Sequence, residues 1–316
     1  MLQKIKIKNL LNQFDYELVL SNDENDRIRF ISGPNGYGKT CIMRIINCLY
    51  CANYDALLGI PFSSVEMIVD DAKIVVEKVI AEREQADGSD IISEDEITSL
   101  ILTYKTADIE NSIEVKVGGD FSEFDVPFAL HLNSLRCYFI PDRVVPVNEE
   151  DLRVSERSSE VATTIEMCAL GLKEQLENKK YRTNKFDERL GLFQSIISEL
   201  QFTNKTMVIR EDFGFLFQLN DKRKTIIQNN RLSSGEQHII IQLYNMLFCK
   251  AGDYLLTLID EPELSLHPAW IAVYYRHLAQ IVELRNMQCL LATHSADIFN
   301  MQWDKCVDLY DIVHAS

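Results

Sequence analysis

Residues 33–40 read GPNGYGKT and satisfy the pattern G-x-x-x-x-G-K-[ST]. Glycines in so short a loop let backbone N–H groups turn inward around a polyphosphate, where a Cβ would stand in the way. A helix that starts near Lys39 adds the positive end of its dipole. Lys39 would bridge the β and γ phosphates and Thr40 would ligate Mg2+. The expected phosphate-binding set is therefore Gly33, Pro34, Asn35, Gly36, Tyr37, Gly38, Lys39, Thr40 and Cys41.

A second group follows the apolar stretch YLLTLI at 254–259, which runs into Asp260 and Glu261 before Pro262. An acid at the carboxyl end of a buried strand suits a magnesium anchor, so Thr40 and Asp260 form the expected metal pair. Glu261, the next acid, is placed to take a proton from an attacking water. Alone, such an acid pair also reads as a solvated turn; the upstream phosphate loop decides between the two. LSSGEQH, at 232–238, heads an apolar helix. Ser233 or Ser234 can cap that helix, and its N-terminus and hydroxyls also suit a γ-phosphate. His294, in LLATHS, again lies just beyond a buried strand, where it is either structural or a hydrogen-bonding sensor of the γ-phosphate.

The elements that position these residues follow from the apolar pattern. Ile5 and Ile7, residues 16–20 and residues 28–31, parted by the turn-rich SNDEND, predict three strands leading into the glycine cluster. CIMRIINCLYC, at 41–51, has helical spacing, so strand, glycine loop and helix stand in sequence. From 62 to 118, VEMIV, KIVVEKVI, ITSLILTYK and SIEVKV predict an antiparallel subdomain, with EREQADGSDIISEDE as a solvated excursion. Residues 121–135 read as a helix and 136–146 as a buried strand stopped by Pro141. Residues 149–200 suit a small helical region, too short for a long coiled-coil arm. Strands are expected at 206–219 and 224–228 around the polar NDKR, then a helix from 234, a strand at 254–259, a helix from 268, a strand at 288–292 and a short helix after 295. That alternation argues for an α/β fold with a mainly parallel sheet flanked by helices.

The chain has 316 residues, and 32 Lys+Arg against 48 Asp+Glu leave a net charge of −16. Such acidity opposes a surface that coats DNA by charge, because phosphate binding needs a dense basic face. No apolar run reaches the ~18 residues of a membrane helix. The opening MLQKIKIKNLL lacks the apolar core and cleavage site of a signal peptide, so a cytoplasmic protein without membrane contact is expected. Of eight cysteines only Cys48 and Cys51 show C-x-x-C spacing, with no second pair nearby to complete a zinc site, and they read as buried thiols.

Taken in order, these elements resemble the ATP-binding-cassette ATPase superfamily: GPNGYGKT looks like its Walker A, LSSGEQ like its signature, LLTLIDEP like its Walker B, LSLHP like its D-loop and ATHS like its switch histidine. DEPELSLHP points to the soluble branch of RecF, the structural-maintenance-of-chromosomes proteins and the overcoming-lysogenization-defect nucleases. YFIPDR, at 138–143, looks like a segment of the ATPase subunits of bacterial phage-defence systems such as Septu, retron-linked and PARIS.

The resemblance implies a P-loop ATPase head with a mixed sheet, using ATP and Mg2+, with Glu261 and His294 as catalytic residues. It implies one head over 1–316, with 1–60 and 204–316 forming the nucleotide core, a β subdomain over 61–120 and a helical insertion over 147–203. In this superfamily two heads sandwich two nucleotides, so Ser233, Ser234, Gly235 and Glu236 would act in trans, in an ATP-dependent homodimer or higher oligomer. Ser234 departs from the usual first glycine of the signature, and Glu236 intervenes before Gln237. Asp142 and Arg143 stand roughly where a Q-loop is expected, and Asn9 and Phe14 are adenine candidates by their place before the phosphate loop.

The leading functional expectation is an ATPase subunit that switches a partner effector encoded nearby, a nuclease, Toprim protein or toxin, in anti-phage defence. Too little of this sequence follows His294 for a Toprim domain, so effector chemistry and nucleic acid would come through the partner. A second reading is a repair ATPase that clamps DNA directly through Lys179, Lys180, Arg182 and Lys185, which also read as a solvated helix face. A third is an ATP-locked scaffold of very slow turnover.

Overall fold

The structure is a computed structural model that describes residues 1–21, 26–51, 53–80, 97–108, 110–118, 135–140, 164–178, 183–248 and 254–314. Strands β1 (Leu2–Leu10) and β2 (Phe14–Val19) form a hairpin, and β3 (Ile28–Ser32) leads through the glycine loop into α1 (Lys39–Tyr50). After the short α2 (Tyr54–Leu58) come β4 (Ser64–Val69), β5 (Ala72–Ile80), β6 (Ile97–Lys105), β7 (Glu110–Lys116) and β8 (Leu135–Ile140). Helices α3 (Ile165–Glu177) and α4 (Asn184–Glu199) precede β9 (Lys205–Arg210), β10 (Gly214–Leu219) and β11 (Ile226–Ile227). The last third alternates: α5 (Ser234–Phe248), β12 (Tyr254–Asp260), α6 (Pro268–Arg285), β13 (Gln288–Ala292), β14 (Cys306–Asp308) and α7 (Leu309–His314).

The strands form three sheets. A five-stranded sheet, in the order β14-β3-β13-β12-β8, is parallel throughout. Its strands are apolar on both faces, as burial on both sides demands. The period of two then sorts their residues: Ile31, Leu256, Leu258, Leu290 and Ala292 enter one core with α1 and the antiparallel sheet. Ile28, Phe30, Ile259, Cys289 and Leu291 enter the other with α3 to α6 and the small β9–β11 sheet. The antiparallel sheet runs β2-β1-β4-β5-β6-β7, so the strands expected over 62–118 continue into the N-terminal hairpin.

Caps match the local sequence. Thr164 and Thr183 accept the N–H groups of Met167 and Phe186 at the starts of α3 and α4. Pro268 opens α6, and Asn286, left-handed at φ 52°, closes it by donating its N–H to Val282 and Glu283 carbonyls.

Some expectations are corrected. The stretch 206–219 is a hairpin, broken at residues 211–213, because Gly214 takes a left-handed φ of +74°. The helix expected after 295 does not form: residues 296–301 are turns, with Asn300 and Met301 at φ 47° and 61°, values that end helical propagation. The chain instead returns as β14 and α7. The helix expected over 121–135 lies outside the described residues except for Leu135, which is in β8, and Pro141, Asp142, Arg143, Lys179, Lys180 and Arg182 lie outside them altogether. Lys185 is exposed in the first turn of α4. No helix among the described residues is long and apolar enough to cross a membrane.

Gly214 is the tightest steric point between α3 and the β9–β10 hairpin, since a Cβ there would collide with the carbonyl oxygen of Ala169. Gly214→Ala is expected to cost roughly 2–4 kcal/mol, read as a lower urea midpoint with an unchanged slope.

Candidate functional site

Parallel strands end on one edge of their sheet, and that edge collects residues far apart in sequence. β3 ends at Ser32 and passes to Gly33; β12 ends at Asp260; β13 ends at Ala292, two residues before His294; β14 ends at Asp308. In the loop from β3 to α1, Gly33, Gly36 and Gly38 have φ of 145°, 85° and 83°. A Cβ on Gly38 would meet Leu10 Cδ2 at 2.8 Å. No side chain caps α1, so the first-turn N–H groups of this 12-residue helix face the loop. Tyr37 is pinned from outside: its carbonyl accepts the Tyr16 hydroxyl at 2.9 Å and its ring stacks on Phe14 at 5.3 Å.

Lys39 is buried. Its Nζ donates to the carbonyls of Gly33 at 2.8 Å and Pro34 at 3.2 Å, and lies 3.2 Å from His294 Nδ1. Nδ1 also lies 3.1 Å from the Gly33 carbonyl, so it faces a donor in Lys39 and an acceptor in Gly33, while Nε2 faces a carboxylate, which only accepts. Nε2 then donates to Glu261 Oε1 at 2.5 Å. Burial pushes the Lys39 amine below its ordinary value, while the carboxylates of Glu261, Asp260, Glu263 and Asp308 push the other way. Glu261 itself is left-handed at φ 44°, ψ 55°, and its N–H donates to the Ala292 carbonyl at 2.8 Å. A non-glycine residue held there marks stored strain of the kind found at functional sites. Asp260 is buried, Thr40 and Cys41 are half-buried, and burial raises the Cys41 thiol.

These residues fit a magnesium nucleotide. Four carboxylates near one lysine would repel a bare polyphosphate, a charge that an accompanying cation would offset. Among the described residues no three His, Cys, Asp or Glu side chains converge as an all-protein metal cage. One hydroxyl and one carboxylate, Thr40 and Asp260, are the kind of donors that would suit a Mg2+ that keeps waters and phosphate oxygens for its remaining positions.

The start of α5 is built separately. Glu236, also buried, accepts the Ser233 N–H at 2.8 Å and the Ser233 hydroxyl at 2.9 Å, while the Glu236 N–H points back to Ser233 Oγ at 3.4 Å. This is a capping box. Lys205 of β9 closes it with bonds of 2.7 and 2.8 Å to both carboxylate oxygens. Gly235 lies so close to the Ser265 carbonyl that a Cβ would stand 2.7 Å from it. An open cleft of about 610 Å3 adjoins this turn, lined by Ser233, Gly235, Glu236, His267 and Trp270.

The fold thus brings Gly33, Pro34, Lys39, Asp260, Glu261 and His294 to one edge. Ser233 and Glu236 bond to each other and Glu236 to Lys205, and among the described residues none of their hydrogen bonds runs to residues 33–41. Sequence reasoning passed over Glu263, whose carboxylate binds the His294 backbone, and Asp308, which accepts the Ser32 hydroxyl at 3.0 Å. Glu263 was visible as the third acid of the run DEPE; Asp308 carried no signal before β14 was placed.

Residues 122–300 match the family model described as "AAA domain, putative AbiEii toxin, Type IV TA system". Protein ea59 of Escherichia phage lambda is 37% identical over 65 residues, 21% of this chain and 12% of that protein's length. Among solved structures, an SMC head domain from Thermotoga maritima covers 94% of this chain and 90% of its own, with a TM-score of 0.41 at 13% identity. An SmcHead bound to the C-winged helix domain of ScpA covers 97% and 93%, with a TM-score of 0.46 at 14% identity.

Burial alone would raise the Glu236 carboxyl, but bonds from Lys205 and Ser233 bring it below its ordinary 4.5. A depressed carboxylate stabilises fully above that ordinary value and loses its contribution as pH falls through the folded value. Glu236→Gln is therefore expected to cost roughly 1–3 kcal/mol at neutral pH. Urea titrations of both proteins should show that deficit shrinking as the pH is taken below 4.5.

Proposed function

The chain belongs to the family of AAA domains described with the putative AbiEii toxin of type IV toxin–antitoxin systems, and on that footing we propose that it is a magnesium-dependent ATPase that switches a partner effector. The observation that carries this reading is the continuous chain Lys39–His294–Glu261 at the carboxyl edge of the parallel sheet. The glycine loop and the uncapped α1 bind the polyphosphate, and Lys39 leaves its carbonyl partners to hold the β and γ phosphates. Magnesium, held by Thr40 and Asp260, supplies charge neutralisation. Glu261 takes the proton of the attacking water, and its bond to His294 orients it. His294, bonded at both ring nitrogens, registers whether Lys39 is engaged by phosphate. Phe14, stacked on Tyr37, is the proposed neighbour of the base, with Asn9 beside it on the same hairpin.

The start of α5 is assigned to a second head. Ser234 and Gly235 lie on a rigidly capped turn beside the cleft, which supports their use in trans across an ATP-bound dimer. Glu236 serves that turn by holding it. In this reading 1–316 is one head with its β subdomain and helical insertion, in the cytoplasm, and the effector is a toxin or nuclease that carries any nucleic-acid chemistry. The net charge of −16 supports leaving nucleic-acid chemistry to another chain, and the family description supports a toxin–antitoxin setting.

Lys39→Ala is expected to abolish ATP turnover in a phosphate-release assay; a variant as fast as wild type rejects the phosphate-loop assignment. Glu261→Gln with ATP and Mg2+ is expected to scatter light as a dimer at micromolar concentration, and a persistent monomer rejects the two-head arrangement.

A further inference from the structure

Glu263 lies in the 3₁₀ turn Pro262–Ser265 that follows Glu261. Its Oε1 accepts two hydrogen bonds of 2.7 Å, from the Thr293 hydroxyl and from the His294 backbone N–H. Its Oε2 is buried with no hydrogen-bond partner among the described residues. Thr293 is fully buried, donates its N–H to the Ile31 carbonyl at 3.0 Å, and accepts the Ser295 N–H on its hydroxyl at 3.0 Å. The exit of β12 is therefore cross-linked to the exit of β13 through one carboxylate oxygen.

These bonds close a ring. The backbone runs from Glu261 through Pro262 to Glu263; the Glu263 side chain binds the His294 N–H; the His294 imidazole returns to Glu261 Oε1 at 2.5 Å. Glu261 is also held at its carbonyl, which accepts the Leu264 N–H at 3.1 Å. With both ends of the Glu261–His294 contact fastened, the imidazole has little room to swing away from Glu261 or Lys39.

We propose that Glu263 is a positioning residue for the reaction: it holds His294 against Glu261 and Lys39 by accepting from its backbone and from Thr293, and touches no substrate. This rests on the ATPase reading and adds a residue to it. The role needs an acceptor oxygen at that reach rather than a charge. A glutamine oxygen can accept both bonds, an alanine neither, and an aspartate is one methylene short.

The full-length chain serves for the test, as wild type, E263A, E263D, E263Q, H294A and E263A/H294A. ATP turnover gives kcat and KM, and NMR at one fixed pH follows the His294 ring, assigned among the six histidines by its loss in H294A. E263A and E263D are expected to lower kcat roughly tenfold or more with KM within about twofold. E263Q should stay near wild type, and E263A should slow H294A by less than about twofold. The His294 signals should shift in E263A and E263D and remain in place in E263Q.

The proposal is overturned if E263A leaves kcat and the His294 signals unchanged, if it slows H294A as much as wild type, or if E263Q is as slow as E263A. Should E263A fail to fold, E263D and E263Q carry the same comparison. If the wild type does not hydrolyse ATP, the ATPase reading fails by itself, and the ring signals alone decide the role of Glu263.

Discussion

A buried ammonium must be met by acceptors or lose its proton, and Lys39 is buried at the mouth of α1. Much of the sheet edge answers that demand. The loop glycines adopt left-handed backbone so that the carbonyls of Gly33 and Pro34 reach Nζ. His294 sets Nδ1 beside the ammonium and donates from Nε2 to Glu261. Carboxylates from the exits of β12 and β14 surround the cation. The partners follow the ends of β3, β12, β13 and β14, so the lysine binds the ends of the sheet together as much as they hold it.

The parallel sheet makes this convergence repeatable. Because both its faces are buried, a one-residue slip in β13 or β12 would exchange the contents of two separate cores, moving Leu290 for Leu291 or Leu258 for Ile259. Register is therefore set by packing far from the site, and the site inherits it. The capping box of Ser233 and Glu236, tied to Lys205 on β9, applies the same logic at the start of α5, where electrostatics rather than a sheet fixes a helix start.

How much of this could be read from the residues depends on range. GPNGYGKT, the Asp260–Glu261 pair and His294 were legible because each sits beside a strand whose apolar run is unmistakable. The alternation of helix and strand after 234 was legible for the same reason. The sharing of one sheet between β1 and β4 was not, because pairing as distant as Leu2 with Val69 leaves no local trace. Glu263 was in plain view within DEPE, yet its partner, a backbone N–H at His294, has no letter in a sequence. The turns after 295 were misjudged because left-handed residues at Asn300 and Met301 are a conformational choice that neither side chain dictates.

The left-handed backbone of Glu261 has an evolutionary consequence. Asn or Gly occupies that region more readily than Glu, and a substitution there would relieve strain of about 1 kcal/mol or more. Loss of the carboxylate proposed to accept the proton would thus be accompanied by a gain in stability, the trade-off in which function and robustness pull against each other. If the proposed turnover holds, a duplicated copy released from selection for it would gain stability by replacing Glu261. Under that reading, strain at one position ties the chemistry of the site to the robustness of the fold.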